Sequence, residues 1–269
     1  MTIPSFLSSA FQYNSHATVT DVQTIMNDFY TLCVTNLSWT SPGGSGANPM
    51  TLKCPVTATG LFFTVVLTRT SATLLSITVT DHMGILINNQ TNNQVAIDAG
   101  GTTIDEYANP FGLCISSERA TPECFDCGLL DVYPDTLGTP RGWYWASSGP
   151  RTNGGGLVTQ YMDYMWVFGN SATSYTSGGY ALARAPQSQI SSHLLSFTGA
   201  YVVAPIEVSF DLGYLQGRKN QALMVDSGLV NAATIVVPID VGVTGTFKVV
   251  GFTAGSTPLA SCKTAYRTA

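Results

Sequence analysis

Hydrophobic and polar positions divide the chain into one helical stretch and a long series of strand-like runs. Between residues 20 and 34, Val22, Ile25, Met26, Phe29, Leu32 and Cys33 recur at helical spacing and make one apolar stripe. Thr20 with Gln23 gives a capping-box pattern, and Asp21 suits the first turn. This predicts a single helix packed on a sheet. Residues 1–17 show neither period and read as an irregular arm. After Trp39, residues 41–49 (SPGGSGANP) are turn-rich and close the helical region.

Period two takes over next. In 61–70, Phe63, Val65 and Leu67 alternate with more polar neighbours, and in 74–81 Leu75, Ile77 and Val79 do the same. With Thr on the outer face and Ser71-Ala72-Thr73 between them, these runs predict an antiparallel hairpin. A third short strand is expected at 85–87 and a polar turn at 88–93. Gly100-Gly101 marks a further turn. Further strand-like runs lie at 111–115, 128–132, 194–197, 201–210, 222–225, 234–239 and 246–252. Pro205 and Pro238 inside two of them predict edge strands or bulges. Residues 149–156 (GPRTNGGG) and 171–179 read as loops, 157–168 fits a short helix or a strand, and 262–269 reads as a polar tail. The fold class expected is mainly β: an antiparallel sandwich or barrel with one N-terminal α-helix. The organisation expected is an arm, helix and hairpin region over 1–99 and a β-rich region over 100–269, as two β subdomains or one continuous domain.

Composition changes the picture in one respect. Charged residues are 10% of the chain, against about 25% in ordinary soluble domains. Lysine is confined to Lys53, Lys219, Lys248 and Lys263. Exposed surface is usually Lys- and Glu-rich and interface cores are depleted of both, so covered surface is expected. The aromatic residues Trp143, Tyr144, Trp145, Tyr161, Tyr164 and Trp166 are the candidate interface anchors. The net charge of −5 and the lack of a basic block argue against nucleic acid as a partner. No apolar run approaches the ~18 residues of a membrane helix. The first sixteen residues lack a basic n-region, so folding in a reducing cytoplasm is expected.

Candidate chemistry is sparse. Cys124-Phe125-Asp126-Cys127 is a C-x-x-C, and Cys114 would make a third thiolate. A structural zinc site wants four ligands, and no second pair exists. Buried free thiols are the expectation for all six cysteines, with no metal or disulfide required for folding. Glu118, Glu123, Asp126, Asp131 and Asp135 offer carboxylates for glycosidic cleavage only if two of them face each other. Turn and cap roles are the default. His16, His82 and His193 lie far apart, and neither a nucleophile elbow nor a phosphate loop is present. No catalytic, cofactor-binding or metal-binding residue is assigned.

Three segments carry a family resemblance. They are the helix with Gly60 to Thr70, the central 111–135 stretch with its Cys-Gly-Leu-Leu-Asp-Val-Tyr-Pro run at 127–134, and residues 217–226 with 237–247. Through them the chain resembles virion structural proteins of tailed bacteriophages, of the neck, collar and tail-accessory type. The resemblance implies a non-enzymatic protein that forms rings around the head–tail axis, is made in the host cytoplasm, and contacts itself and other virion proteins. It implies no catalytic residue and no cofactor. A capsid decoration protein and a tail-borne glycan-binding or hydrolase module are the alternatives.

Overall fold

The apolar stripe of the predicted helix is buried along its length. In the computed structural model, which describes residues 10–57, 60–84, 94–119, 123–130, 142–153, 156–160, 166–168, 203–209, 215–226, 229–230, 232–240, 242–250 and 262–269, helix α1 spans Val22–Phe29. Val22, Ile25, Met26 and Phe29 are all fully buried. The N-cap is Asp21 rather than Thr20: its carboxylate accepts the Gln23 N–H at 2.8 Å. The Arg69 guanidinium holds the same carboxylate from the other side, with Nε and Nη2 each 2.8 Å away. Beyond Phe29 the helix widens into a π-helical turn, Tyr30–Thr35, through which Leu32 and Cys33 stay buried.

Three antiparallel sheets make up the rest of the described fold. The expected hairpin is β3 (Phe63–Ser71) and β4 (Leu74–Asp81). Its alternation holds: Phe63, Val65, Leu67, Leu75, Ile77 and Val79 are buried. Strands β2 (Met50–Lys53) and β5 (Gln94–Ala96) complete this four-stranded sheet.

The central sheet runs β1-β6-β7-β8-β9-β10, with β11 also on β9. Its members are β1 (Gln12–Val19), β6 (Thr102–Asn109), β7 (Gly112–Ser117), β8 (Glu123–Leu130), β9 (Gly142–Asn153), β10 (Gly156–Gln160) and β11 (Trp166–Phe168). Two expectations are corrected here. Residues 12–17 are not an irregular arm but part of β1, paired with β6. Residues 149–153, read as loop, continue β9 and pair with β10. Of the 157–168 stretch, residues 157–160 and 166–168 are strand, and 161–165 lie outside the described residues. Gly101 opens β6 at φ +100°, where a Cβ would stand 2.2 Å from Thr18 Cγ2, so the turn there requires glycine.

The third sheet runs β12-β13-β16-β15-β14. It comprises β12 (Val203–Ser209), β13 (Leu215–Asp226), β14 (Thr234–Asp240), β15 (Val243–Val250) and β16 (Cys262–Arg267). Pro205 and Pro238 do sit in its two outer strands among the described residues, each beside a shift in register. The polar tail expected at 262–269 is instead mostly β16, the middle strand, paired with both β13 and β15. The runs 85–87, 88–93, 171–179 and 194–197 lie outside the described residues.

Period two in the central sheet decides the layering. Ile104, Ala108, Leu113, Ile115, Phe125, Cys127 and Leu129 share one core with α1 and the four-stranded sheet. Trp39 closes that core: its indole N–H donates to Asn109 O at 3.2 Å, and its ring meets Phe63 edge-on at 5.3 Å. The alternate positions Asp105, Tyr107 and Asp126 face the third sheet, where they meet Lys248 and Tyr266. The far side of the third sheet has its own apolar cluster, including Leu223, Ile235, Val237 and Phe247. The architecture is a mainly β, sandwich-like stack with one short α-helix. No helix of the described residues is long and apolar enough to cross a membrane.

Candidate functional site

The aromatic residues singled out above fall on adjoining strands. Trp143, Tyr144 and Trp145 are consecutive on β9, and antiparallel pairing with β11 sets Trp145 opposite Trp166 and Trp143 opposite Phe168. The sequence separates Trp145 from Trp166 by twenty residues; the register makes them neighbours. Tyr161 and Tyr164 lie outside the described residues.

The C-x-x-C does not converge. Cys124 and Cys127 are three apart on a strand, so they point to opposite faces. Cys124 lies with Cys114 on the face toward the third sheet, Sγ to Sγ 3.5 Å. Cys127 enters the main core, where Cys33 and Cys54 are close enough to affect its thiol. Cys33, Cys54, Cys114, Cys124 and Cys127 are all buried and unbridged. Burial pushes Cys33 and Cys127 well above the ordinary thiol range and raises Cys54 to about 12. Such thiols stay protonated and are poor nucleophiles and poor metal ligands.

The acidic residues of the same stretch separate in the same way. Glu123 is on the core side, accepting from the Ala96 N–H at 2.6 Å and from Arg119 Nη1 at 2.9 Å. Asp126 is on the opposite side and accepts the Tyr266 hydroxyl. Glu118 pairs with Lys248 Nζ at 2.9 Å. Glu123 and Asp126 therefore do not form a facing pair. Asp131 and Asp135 lie outside the described residues.

Between the central and third sheets runs a polar seam. Tyr13, Tyr107 and Tyr266 stack in series at 5.0 and 4.7 Å. Lys248 Nζ lies 2.6 Å from Asp105 Oδ2, and the Tyr13 hydroxyl donates to Asp105 Oδ1 at 2.9 Å. Burial raises Tyr13, and raises Tyr107 strongly, so both remain neutral phenols. The cavity lined by Tyr107, Asp126, Gln221 and Tyr266 measures about 10 Å³, room for one water and not for an organic substrate.

On the other face of β6, one residue along from Asp105, a second polar group is buried. Glu106 is fully buried, and its Oε2 accepts from Asn14 Nδ2 at 3.1 Å. Its Oε1 has no hydrogen-bond partner. His16 of β1 and Asp28 of α1 stand beside it, His16 Nε2 being 2.6 Å from Asp28 Oδ2. One ligand atom from each of His16, Asp28 and Glu106 lies within 4.8 Å of the other two. Burial first, then the neighbouring Asp28 charge, pushes Glu106 well above the usual carboxylate range. No spacing rule exposes this group, because β1 pairing, not sequence proximity, sets Asn14 opposite Glu106.

No protein-family model matches the chain, and no curated protein matches it.

Proposed function

We propose that the chain is a non-enzymatic structural component of a tailed-phage virion, a ring-forming neck, collar or tail and baseplate accessory protein. Its partners are copies of itself and other virion proteins, with neither nucleic acid nor membrane among them. The phage assignment rests on the resemblance carried by the helix and Gly60 to Thr70, by 111–135, and by 217–226 with 237–247. The assembly role is supported above all by β14. Among the described residues it is the outer strand of the third sheet, and Val236 on it is 62% exposed. Val230, just before it, is 75% exposed. A free strand edge with outward apolar residues is a template for pairing with another chain. The paucity of lysine leaves little charge to guard such an edge. The register that aligns Trp143 and Trp145 with β11 gathers aromatic residues of the type that anchor interfaces.

The deciding experiment is antibody labelling of whole particles viewed by electron microscopy. Label in a ring at the head–tail junction or on the tail is expected. Label spread over the capsid would favour a decoration protein, and absence from the particle would reject the reading.

A further inference from the structure

We propose that His16, Asp28 and Glu106 bind one divalent transition-metal ion, with Zn2+ the best match to the ligand set. The site joins three separate elements: His16 comes from β1, Asp28 from α1 and Glu106 from β6. It is independent of the virion reading, because it concerns what the folded chain holds rather than where the chain is placed.

The first observation is the convergence itself. Three potential ligand atoms of the right chemical type lie within 4.8 Å of one another. A tetrahedral ion with bonds of about 2.0–2.1 Å needs its ligand atoms about 3.3 Å apart, so rotamer adjustments of the order of 1 Å suffice. The second observation is the unpartnered oxygen. Glu106 is fully buried, and its Oε1 has no hydrogen-bond partner. Were Glu106 a neutral acid, the proton would belong on Oε1, since Oε2 already accepts from Asn14, and no acceptor for it lies within reach there. Were it ionised, it would be a buried anion with no lysine or arginine paired to it among the described residues. A cation held by the Glu106 carboxylate supplies the missing counter-charge.

The hydrogen bonding of His16 points the same way. Nε2 lies 2.9 Å from Asn14 Nδ2, a donor, and 2.6 Å from Asp28 Oδ2, an acceptor. One ring nitrogen cannot serve both: it either carries a proton or offers a lone pair. A metal ion takes the lone pair of Nε2 and the charge of Asp28 together, and leaves Asn14 Nδ2 its bond to Glu106 Oε2.

The ligand set narrows the metal. One imidazole nitrogen and two carboxylate oxygens fit Zn2+ and its first-row neighbours. Mg2+ and Ca2+ prefer oxygen alone, and without a thiolate the set is too hard for Cu+. His16 and Asp28 have side chains 34% and 24% exposed, which gives an entry path, while Glu106 forms the closed back wall. Three protein ligands leave a fourth position on the solvent side for water or for a residue of a neighbouring molecule.

The test uses the full chain, stripped with chelator and titrated with Zn2+ by calorimetry, with Co2+ as a spectroscopic probe. One equivalent should bind and raise the melting temperature. Glu106→Gln, which is isosteric, and His16→Asn, which removes the Nε2 ligand, should each weaken binding by roughly tenfold or more. The Co2+ spectrum should show ligand-field bands without thiolate-to-metal charge transfer. The proposal is overturned if the wild type shows no saturable binding of either ion. It is equally overturned if both variants bind as well as the wild type, or if thiolate bands appear. If one variant fails to fold, the other variant and the wild-type Co2+ spectrum decide between these outcomes.

Discussion

Lys248 reaches from the third sheet to Asp105 in the central sheet, Nζ to Oδ2 2.6 Å, and so ties together two layers that are far apart in sequence. Asp105 is 2% exposed, and Lys248 also bonds Glu118. Removing the lysine leaves a nearly buried carboxylate, held by the Tyr13 hydroxyl and set beside the Glu118 carboxyl, without its cation. Lys248→Met should cost about 3 kcal/mol, read as a lower urea midpoint at unchanged slope. A fall of less than about 0.5 kcal/mol would place the pair among surface bridges that contribute little.

The same pair predicts a pH dependence. Burial alone would lower Lys248, but its bonds to Asp105 and Glu118 outweigh that and hold it above an ordinary lysine. A group whose folded value is raised contributes fully below its unfolded value, about 10.4, and loses that contribution as pH rises through the folded value. Wild-type stability should therefore fall more steeply than that of Lys248→Met above about pH 10.4. Parallel alkaline curves in urea titrations would contradict this.

At the start of α1, Asp21 serves as cap and as partner of Arg69. The Arg69 hydrogen bond, followed by the Gln23 N–H, holds its carboxyl below the usual value. Asp21→Ala should cost about 1 kcal/mol through the cap, with the exposed guanidinium adding little in salt. The cap's contribution is present above about pH 3.9 and fades as pH falls through the folded value. Asp21→Asn should retain most of the cap, and a full loss in that variant would show that charge rather than capping is at work.

Much of the fold is legible in the sequence, for a physical reason. Where one face of an element is core and the other is wet, hydrophobicity alternates with the element's own period, as in α1, β3 and β4. The pattern fails where a strand is polar on both faces. In β1, Tyr13 and Ser15 alternate with Asn14 and His16; the first pair lies toward the polar seam and the second toward Glu106, so no apolar period marks the strand. β16 fails similarly: Ala265 is its small core residue, while Tyr266 looks across the seam to Asp126. The edge positions of β12 and β14 were readable because proline reports its missing N–H directly in the sequence. The His16 cluster was not readable, since its members come from three elements that only the β1–β6 register and the packing of α1 on those strands unite. The C-x-x-C misleads for the complementary reason: its spacing gathers thiols in a tight turn but separates them on a strand.

The thiols give a chemical check. Cys33, Cys54, Cys114, Cys124 and Cys127 are buried, and burial raises Cys33, Cys54 and Cys127. None of these five should react with an exposed-thiol reagent in the native protein within minutes at pH 8, and all should react in denaturant. Reductant should leave the melting temperature unchanged. Rapid native labelling at Cys114 or Cys124, mapped by mass spectrometry, would mean that the seam between the sheets opens readily.

The edge of the third sheet gives the clearest test of assembly. Val236 is on the outer strand and 62% exposed, so replacing it alters what a neighbour meets without disturbing the core formed by Ile235, Val237 and Ile239. Val236→Lys places a charge in the middle of the strand that is outermost among the described residues, the device by which natural sheets block edge pairing. Intramolecular cost should be small, within about 0.5 kcal/mol, because a surface substitution away from buried partners seldom exceeds that. Self-association is a different matter: a lysine desolvated at a pairing edge costs several times as much, enough to shift the oligomer by an order of magnitude or more in concentration. Sedimentation of wild type and variant across a concentration series measures both effects, with the melting temperature as the control. A smaller species for Val236→Lys at unchanged melting temperature is the expected outcome. Identical association would mean that β14 is not the edge through which copies meet, and the aromatic register at Trp145 and Trp166 would then be the next surface to alter.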